Sequence, residues 1–182
     1  VEHLEELVND VLIYAKPAAP RKELSDIRRI LENALALAER LVTDKNIRIV
    51  TEFEESIPLF PADAAMLEQA FLNVYRNAVD AMEPSGTLRI AARRNGMGPP
   101  AIRIIVEDNG CGIDEADLPH IFNPFFTKKK YGTGLGMTQV KKIIDLHRGT
   151  IDIQSARGEG TRVMVSFPID QEGWQHGENS RD

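Results

Sequence analysis

Four segments of this 182-residue chain read as strands, and they come in two pairs. Residues 87–94 and 102–107 flank the turn-rich Asn95-Gly96-Met97-Gly98-Pro99-Pro100. Residues 150–155 and 161–167 flank Ala156-Arg157-Gly158-Glu159-Gly160. Links this short join antiparallel neighbours, because parallel neighbours need a crossover of a dozen residues or more. Residues 47–53 alternate as one further strand. Helical periods fill the gaps, at about 26–43, 62–82 and 136–147. The order is helices with paired strands, not repeating strand–helix units. It predicts a two-layer α/β sandwich with its helices on one face of the sheet.

The helices carry their own punctuation. Ile27, Ile30, Leu31, Ala34, Ala38 and Leu41 keep the helical period behind a Ser25 or Asp26 cap. Pro61 and Asp63 open the next helix, and Pro84 and Gly86 close it. The helix at 136–147 stops at Gly149. An additional helix is expected over 1–15, where Leu4, Val8, Val11 and Ala15 form a stripe that Pro17 ends. It spans roughly 22 Å, too little for a domain. Its apolar stripe needs another helix, another chain or its own domain as a partner. The expected organisation is the end of a bundle helix at 1–16, a linker at 17–23, a main domain at 24–169 and a loose polar tail at 170–182.

Composition excludes several classes. With 42% hydrophobic and 27% charged residues, the chain is an ordinary globule, not a disordered segment. A net charge of -6 gives no overall electrostatic footprint for nucleic acid or an anionic membrane. Apolar runs such as Ile104-Ile105-Val106 are far too short to span a bilayer, and no signal peptide is visible. One cysteine, Cys111, rules out an internal disulfide framework and suits a reducing compartment, so a cytoplasmic location is expected. The chain opens on Val1, not Met, and is read as a fragment or a processed chain.

Two glycine loops and one polar stripe carry the chemistry. Asp108-Asn109-Gly110-Cys111-Gly112-Ile113 follows a strand. Its glycines let backbone approach a flat ligand, and Asp108 offers an acceptor for an amine such as that of adenine. A tight turn with a solvated Asp is the equal alternative. Gly132-Thr133-Gly134-Leu135-Gly136-Met137 leads into a helix, where free amides make an anion site; a flexible hinge is the alternative. It is neither the dinucleotide fingerprint, which needs a glycine where Met137 stands, nor a P-loop. On the 62–82 helix, Leu67, Ala70, Phe71, Val74, Ala78 and Ala81 centre on one face. Asn73, Asn77 and Asp80 lie roughly 70–130° around from it. Asn is a poor helix former, so two at this spacing point to a task. Their amide oxygens suit Mg²⁺, a hard cation that usually also binds phosphates, or a hydrogen-bonded boundary pair.

In order and spacing these segments resemble sensor histidine kinases of two-component systems. Glu68 to Met82 looks like the N box, Asp108 to Ile113 the G1 box, Phe122 to Lys128 the F box and Gly132 to Met137 the G2 box. Gly158-Glu159-Gly160-Thr161 is similar to the closing Gly-x-Gly-Thr element. The likeness covers about 24–168 and is to the catalytic and ATP-binding domain, within the GHKL superfamily that includes DNA gyrase and the mismatch-repair ATPases. It implies a mixed, largely antiparallel Bergerat-type sheet packed against helices, preceded by one bundle helix.

The resemblance also implies roles. Asp108 binds the adenine amine with Thr161 nearby through water, and Gly110, Gly112 and Ile113 flank it. Asn77 ligates Mg²⁺, assisted by Asn73, with Asp80 beside them. Gly132, Thr133, Gly134, Leu135, Gly136 and Met137 hold the phosphates of ATP. Residues 115–131 form a lid carrying Phe126 and Lys128, and no more than one of Lys128, Lys129 and Lys130 is expected to reach phosphate. No residue is expected to act by covalent catalysis. Gyrase-like relatives carry a water-activating Glu where this chain has Asn73, and an amide cannot serve as that base. The expected reaction is therefore transfer of the γ-phosphate to a histidine on a separate bundle helix, then signalling to a response regulator. The full protein is expected to be a homodimer, with no nucleic-acid partner and no membrane contact through this chain. His3 lacks the acceptor motif, so the acceptor histidine is expected elsewhere. His120 and His147 read as structural, and Cys111 as a small packing residue. A non-catalytic nucleotide switch and an anti-sigma-type serine kinase are the alternatives.

Overall fold

The computed structural model describes residues 19–39, 45–95, 99–129 and 132–169. The expected helix at 1–15, His3, Lys130 and the tail lie outside these residues. In chain order the elements are β1 (Glu23–Ser25), α1 (Ile27–Glu39), β2 (Asn46–Phe53), β3 (Phe60–Ala62), α2 (Ala64–Ala81), β4 (Ser85–Arg94), β5 (Ala101–Asp108), α3 (Gly136–Leu146), β6 (Thr150–Ala156) and β7 (Gly160–Pro168). A 3₁₀ turn, Leu118–His120, lies between β5 and α3.

Five strands form one sheet in the order β2-β4-β5-β7-β6. Only β2 and β4 run parallel, with α2 as part of their crossover. The other pairings are antiparallel, so the sheet is mixed and largely antiparallel. Its inward positions are apolar: Leu88, Ile90 and Ala92 on β4, Ile102, Ile104 and Val106 on β5, and Val163, Val165 and Phe167 on β7. They meet Ile27, Ile30, Leu31 and Ala34 of α1, Leu67, Phe71, Val74 and Tyr75 of α2, and Val140, Ile143 and Ile144 of α3 in one core. Outward positions carry charge, including the Arg162–Glu107 pair at 3.0 Å.

Two expectations need correction, and one open alternative resolves. Residue 62 belongs to β3, and α2 begins at Ala64 behind Asp63, whose Oδ1 accepts from Met66 N–H at 3.1 Å. The reason is the small antiparallel pair β1–β3, absent from the sequence reading, which keeps Phe60–Ala62 extended. Ser25 ends β1, and the α1 cap is Asp26, whose Oδ1 accepts from Arg28 N–H at 2.9 Å. Finally, Cys111 is exposed and is no packing residue. No helix among the described residues is long and apolar enough to cross a membrane.

Candidate functional site

The strand period aims Asp108. Ile102, Ile104 and Val106 point inward, so Asp108, two residues on, points inward as well. There β5 runs out of apolar partners, and a carboxylate 7% exposed stands at the end of the core. Its Oδ1 accepts from Gly110 N–H at 2.9 Å. Burial pushes the Asp108 carboxyl above its ordinary range, while the Gly110 and Thr161 amides pull the other way and Glu107 adds to the rise. An acceptor in so dry a place suits a neutral donor such as an aromatic amine.

The loop after Asp108 is bound to both neighbouring elements. Cys111 N–H donates to Ala81 O at 2.9 Å, and Gly158 N–H to Cys111 O at 2.7 Å. Ile113 N–H donates to Ser155 Oγ at 2.9 Å. Ser155 Oγ stands 3.0 Å from Thr161 Oγ1, so Asp108, Ile113 and Thr161 share one corner. Its glycines have a packing role. A Cβ at Gly110 would lie 2.5 Å from Ala81 O, and one at Gly112, where φ is +68°, 2.0 Å from Ala156 O. They let the loop pack between the end of α2 and the β6–β7 turn, which fixes the carboxylate's surroundings.

The second glycine loop meets α2 from the other side. The first turn of α3 has no side-chain cap at Leu135, so its amides face outward with the positive end of the helix dipole. Leu135 is itself buried, and Met137 packs partly against the core. Leu135 N–H donates to Thr133 Oγ1 at 3.3 Å. Phe125 N–H donates to Gly134 O at 3.0 Å, and a Cβ at Gly134 would lie 2.4 Å from the Phe125 carbonyl carbon. Gly132 abuts Thr127, where a Cβ would lie 2.7 Å from Oγ1. Only Gly136 has room, since a Cβ there would meet only Asn73, 3.8 Å from its Cγ. Asn73 of the stripe and Gly136 of the cradle therefore face each other across a short gap.

The remaining expected residues divide. Lys129 Nζ donates to Asn77 Oδ1 at 2.8 Å and to Asp80 Oδ2 at 2.7 Å. Lys128 is on the other side of the segment, paired with Asp117 and lying 3.8 Å from Asp114; Asp117 raises its ammonium above the ordinary lysine range. The lysine that reaches the stripe is thus Lys129. Phe126 leans on His120 with ring centroids 5.8 Å apart, whereas Phe125 is 67% exposed with φ at 65°. Sequence reasoning also passed over Ser155 and Gln139. For Gln139 a signal existed, a polar residue beside Leu135, Val140 and Ile143 on the apolar side of α3. Oxygens of Asn77 and Asp80 already receive a cationic donor, so this corner is chemically fit for a hard divalent cation. Among the described residues no group of three or more His, Cys, Asp or Glu could hold a metal alone. A cation here must draw further oxygens from its ligand.

Residues 62–171 match the profile of the family described as histidine kinase-, DNA gyrase B-, and HSP90-like ATPase. The sensor histidine kinase ZraS of Escherichia coli O157:H7 is 32% identical over 168 residues, 92% of this chain and 36% of that protein. The signal transduction histidine-protein kinase AtoS of Escherichia coli (strain K12) is 31% identical over 175 residues, 96% of this chain and 28% of that one. The chain thus spans about a third of the length of these curated relatives. Full-length ShkA, solved with AMPPNP, superposes with a TM-score of 0.79 at 28% identity over 91% of this chain and 36% of that one. The catalytic domain of histidine kinase ThkA does so with 0.71 at 27% identity, over 84% of this chain and 98% of that one. The chain belongs to the family of histidine kinase-, DNA gyrase B- and HSP90-like ATPases, and its domain is of the histidine kinase catalytic, ATP-binding type.

Proposed function

We propose that this chain binds Mg·ATP between the end of β5 and the start of α3 and presents the γ-phosphate to a histidine on a separate bundle helix. A response-regulator aspartate is the later acceptor, and the whole protein is a homodimeric sensor kinase working in the cytoplasm. Asp108 receives the adenine amine, Thr161 supports it, and the α3 amides meet the phosphates. Asn77, helped by Asn73, holds the magnesium ion, whose positive charge, once bound, offsets the negative charge of the phosphates. The Asn77–Asp80–Lys129 contact supports this reading, because those oxygens already accept from a cation.

The observation that carries the reading is the convergence of three elements. A buried acceptor ends β5, uncapped amides open α3, and α2 offers Asn73 to Gln139 of α3 and Asn77 to Lys129. Transfer is favoured over hydrolysis because position 73 is Asn, which cannot deprotonate water. Catalysis then rests on positioning and electrostatics, as phosphoryl transfer generally does. AMPPNP in the ShkA structure is consistent with an adenine nucleotide in this fold.

The test is complementation. Purified chain is mixed with radiolabelled ATP, Mg²⁺ and a separately produced histidine-bearing bundle from a relative. Acid-labile phosphate is expected on the bundle and not on the chain. Label mapped to His3, or phosphate release with no transfer at all, would contradict the proposal.

A further inference from the structure

Among the described residues three polar side chains are buried: Asp108, Gln139 and His147. Asp108 belongs to the adenine corner. His147 uses both ring nitrogens, Nδ1 on Ile143 O and Nε2 on Asp63 N–H. Gln139 is 1% exposed and lies in the first turn of α3, directly after the glycine cradle. Burying an amide costs stability unless its hydrogen bonds are met, so its placement needs a reason. Its Oε1 accepts from Asn73 Nδ2 at 3.2 Å.

A carboxamide has two ends of nearly equal shape and opposite sense. The oxygen end of Asn73 can ligate a hard cation; the nitrogen end presents protons and repels one. Gln139 takes the donor end, which leaves the oxygen end of Asn73 for the ligand. On the α3 side only the donor end is engaged: a Cβ at Gly136 would meet Asn73 Cγ at 3.8 Å and Nδ2 at 3.9 Å. We propose that Gln139 is a positioning residue, whose side-chain oxygen sets the orientation of Asn73 so that Asn73 Oδ1 faces the metal and the phosphates. The inference rests on the reading that Asn73 and Asn77 form the metal side of the Mg·ATP site. It adds a residue that acts on the metal side through Asn73.

The experiment compares the affinity of the 182-residue chain for a non-hydrolysable ATP analogue with Mg²⁺ and with EDTA. The readout is the ratio of the two affinities. Gln139→Met keeps length and helix propensity but has no acceptor. It lowers the ratio roughly fivefold, the equivalent of one neutral hydrogen bond, and leaves the EDTA affinity in place, which also reports an intact fold. In an Asn73→Ala background the same substitution changes the ratio no further. A Met variant with the unsubstituted ratio overturns the inference, as does an equal loss in the Asn73→Ala background. A chain whose affinity ignores Mg²⁺ before any substitution removes the metal reading itself, and the inference with it. Should Gln139→Met not fold, the unsubstituted chain still decides. One Nδ2 proton of Asn73 is expected to be hydrogen-bond shifted and slow to exchange, before and after Mg²⁺ and analogue are added. Free exchange of both protons overturns the inference.

Discussion

At the residue scale, the proposed site depends most on Asp108. The carboxylate is held at the dry end of a strand, where burial raises its pKa, so folding gains nothing from its charge. The proposed nucleotide gives its presence a reason. Asp108→Asn is therefore expected to leave the chain folded while weakening ADP binding by roughly 1.5–3 kcal/mol, the range for a hydrogen bond to a charged group. Calorimetry on the folded variant checks this, and unchanged ADP affinity would reduce Asp108 to a turn residue. Asp108 was legible because strand alternation runs straight into it. The lysines were not: three in a row on a loop have no period, and only the fold reveals that Lys129 turns to Asn77 while Lys128 turns to Asp117. The glycines at 110 and 112 also have a packing reason that the sequence did not show. They make room for Ala81 and Ala156, which no local pattern announces.

At the element scale, helices and strands were legible to within a few residues because each carries a period of its own. The β1–β3 pair was not. Each strand has three residues, too few to show alternation, and their pairing joins residues far apart in the chain. Its consequence is concrete. It brings Arg21 N–H to Asp63 Oδ2 at 2.9 Å, at the start of α2. There Asp63 N–H also donates to His147 Nε2 at 2.9 Å, at the end of α3. The two helices that carry the site are thus clasped at one end by a neutral imidazole. Burial lowers the His147 pKa, with Lys22 acting in the same direction and the Ile143 carbonyl and Asp63 opposing. The unfolded chain therefore takes up this proton first as pH falls. The contribution is whole above about pH 6.5 and is lost progressively below it. Urea unfolding across pH 5–8 checks this, since the loss below about pH 6.5 should be smaller in His147→Asn. The other element with an expected response is the segment before α3. Its described part is tied down by Phe125 N–H on Gly134 O and by Lys129 on the Asn stripe. Hydrogen exchange across 123–129 and 132–134 should slow on adding Mg·ATP analogue, while β6 and β7 stay nearly constant. Equal exchange with and without nucleotide would make the segment a fixed surface loop.

At the scale of the whole molecule, one sheet and three helices set Gly136 against Asn73 and tie the loop after Asp108 to the end of α2. The antiparallel pairs put the end of β5 beside the start of β7, and the core sets α3 against α2. A single site is proposed to arise from this arrangement. The most direct measurement is an amide chemical-shift map of the chain titrated with ADP and Mg²⁺. The account predicts the largest shifts together at Asp108–Ile113, at the 132–137 cradle and along Asn73–Asp80, with little change on the outer face of α3 around Lys141 and Asp145. Shifts confined to that outer face, or none at saturating nucleotide, would contradict it.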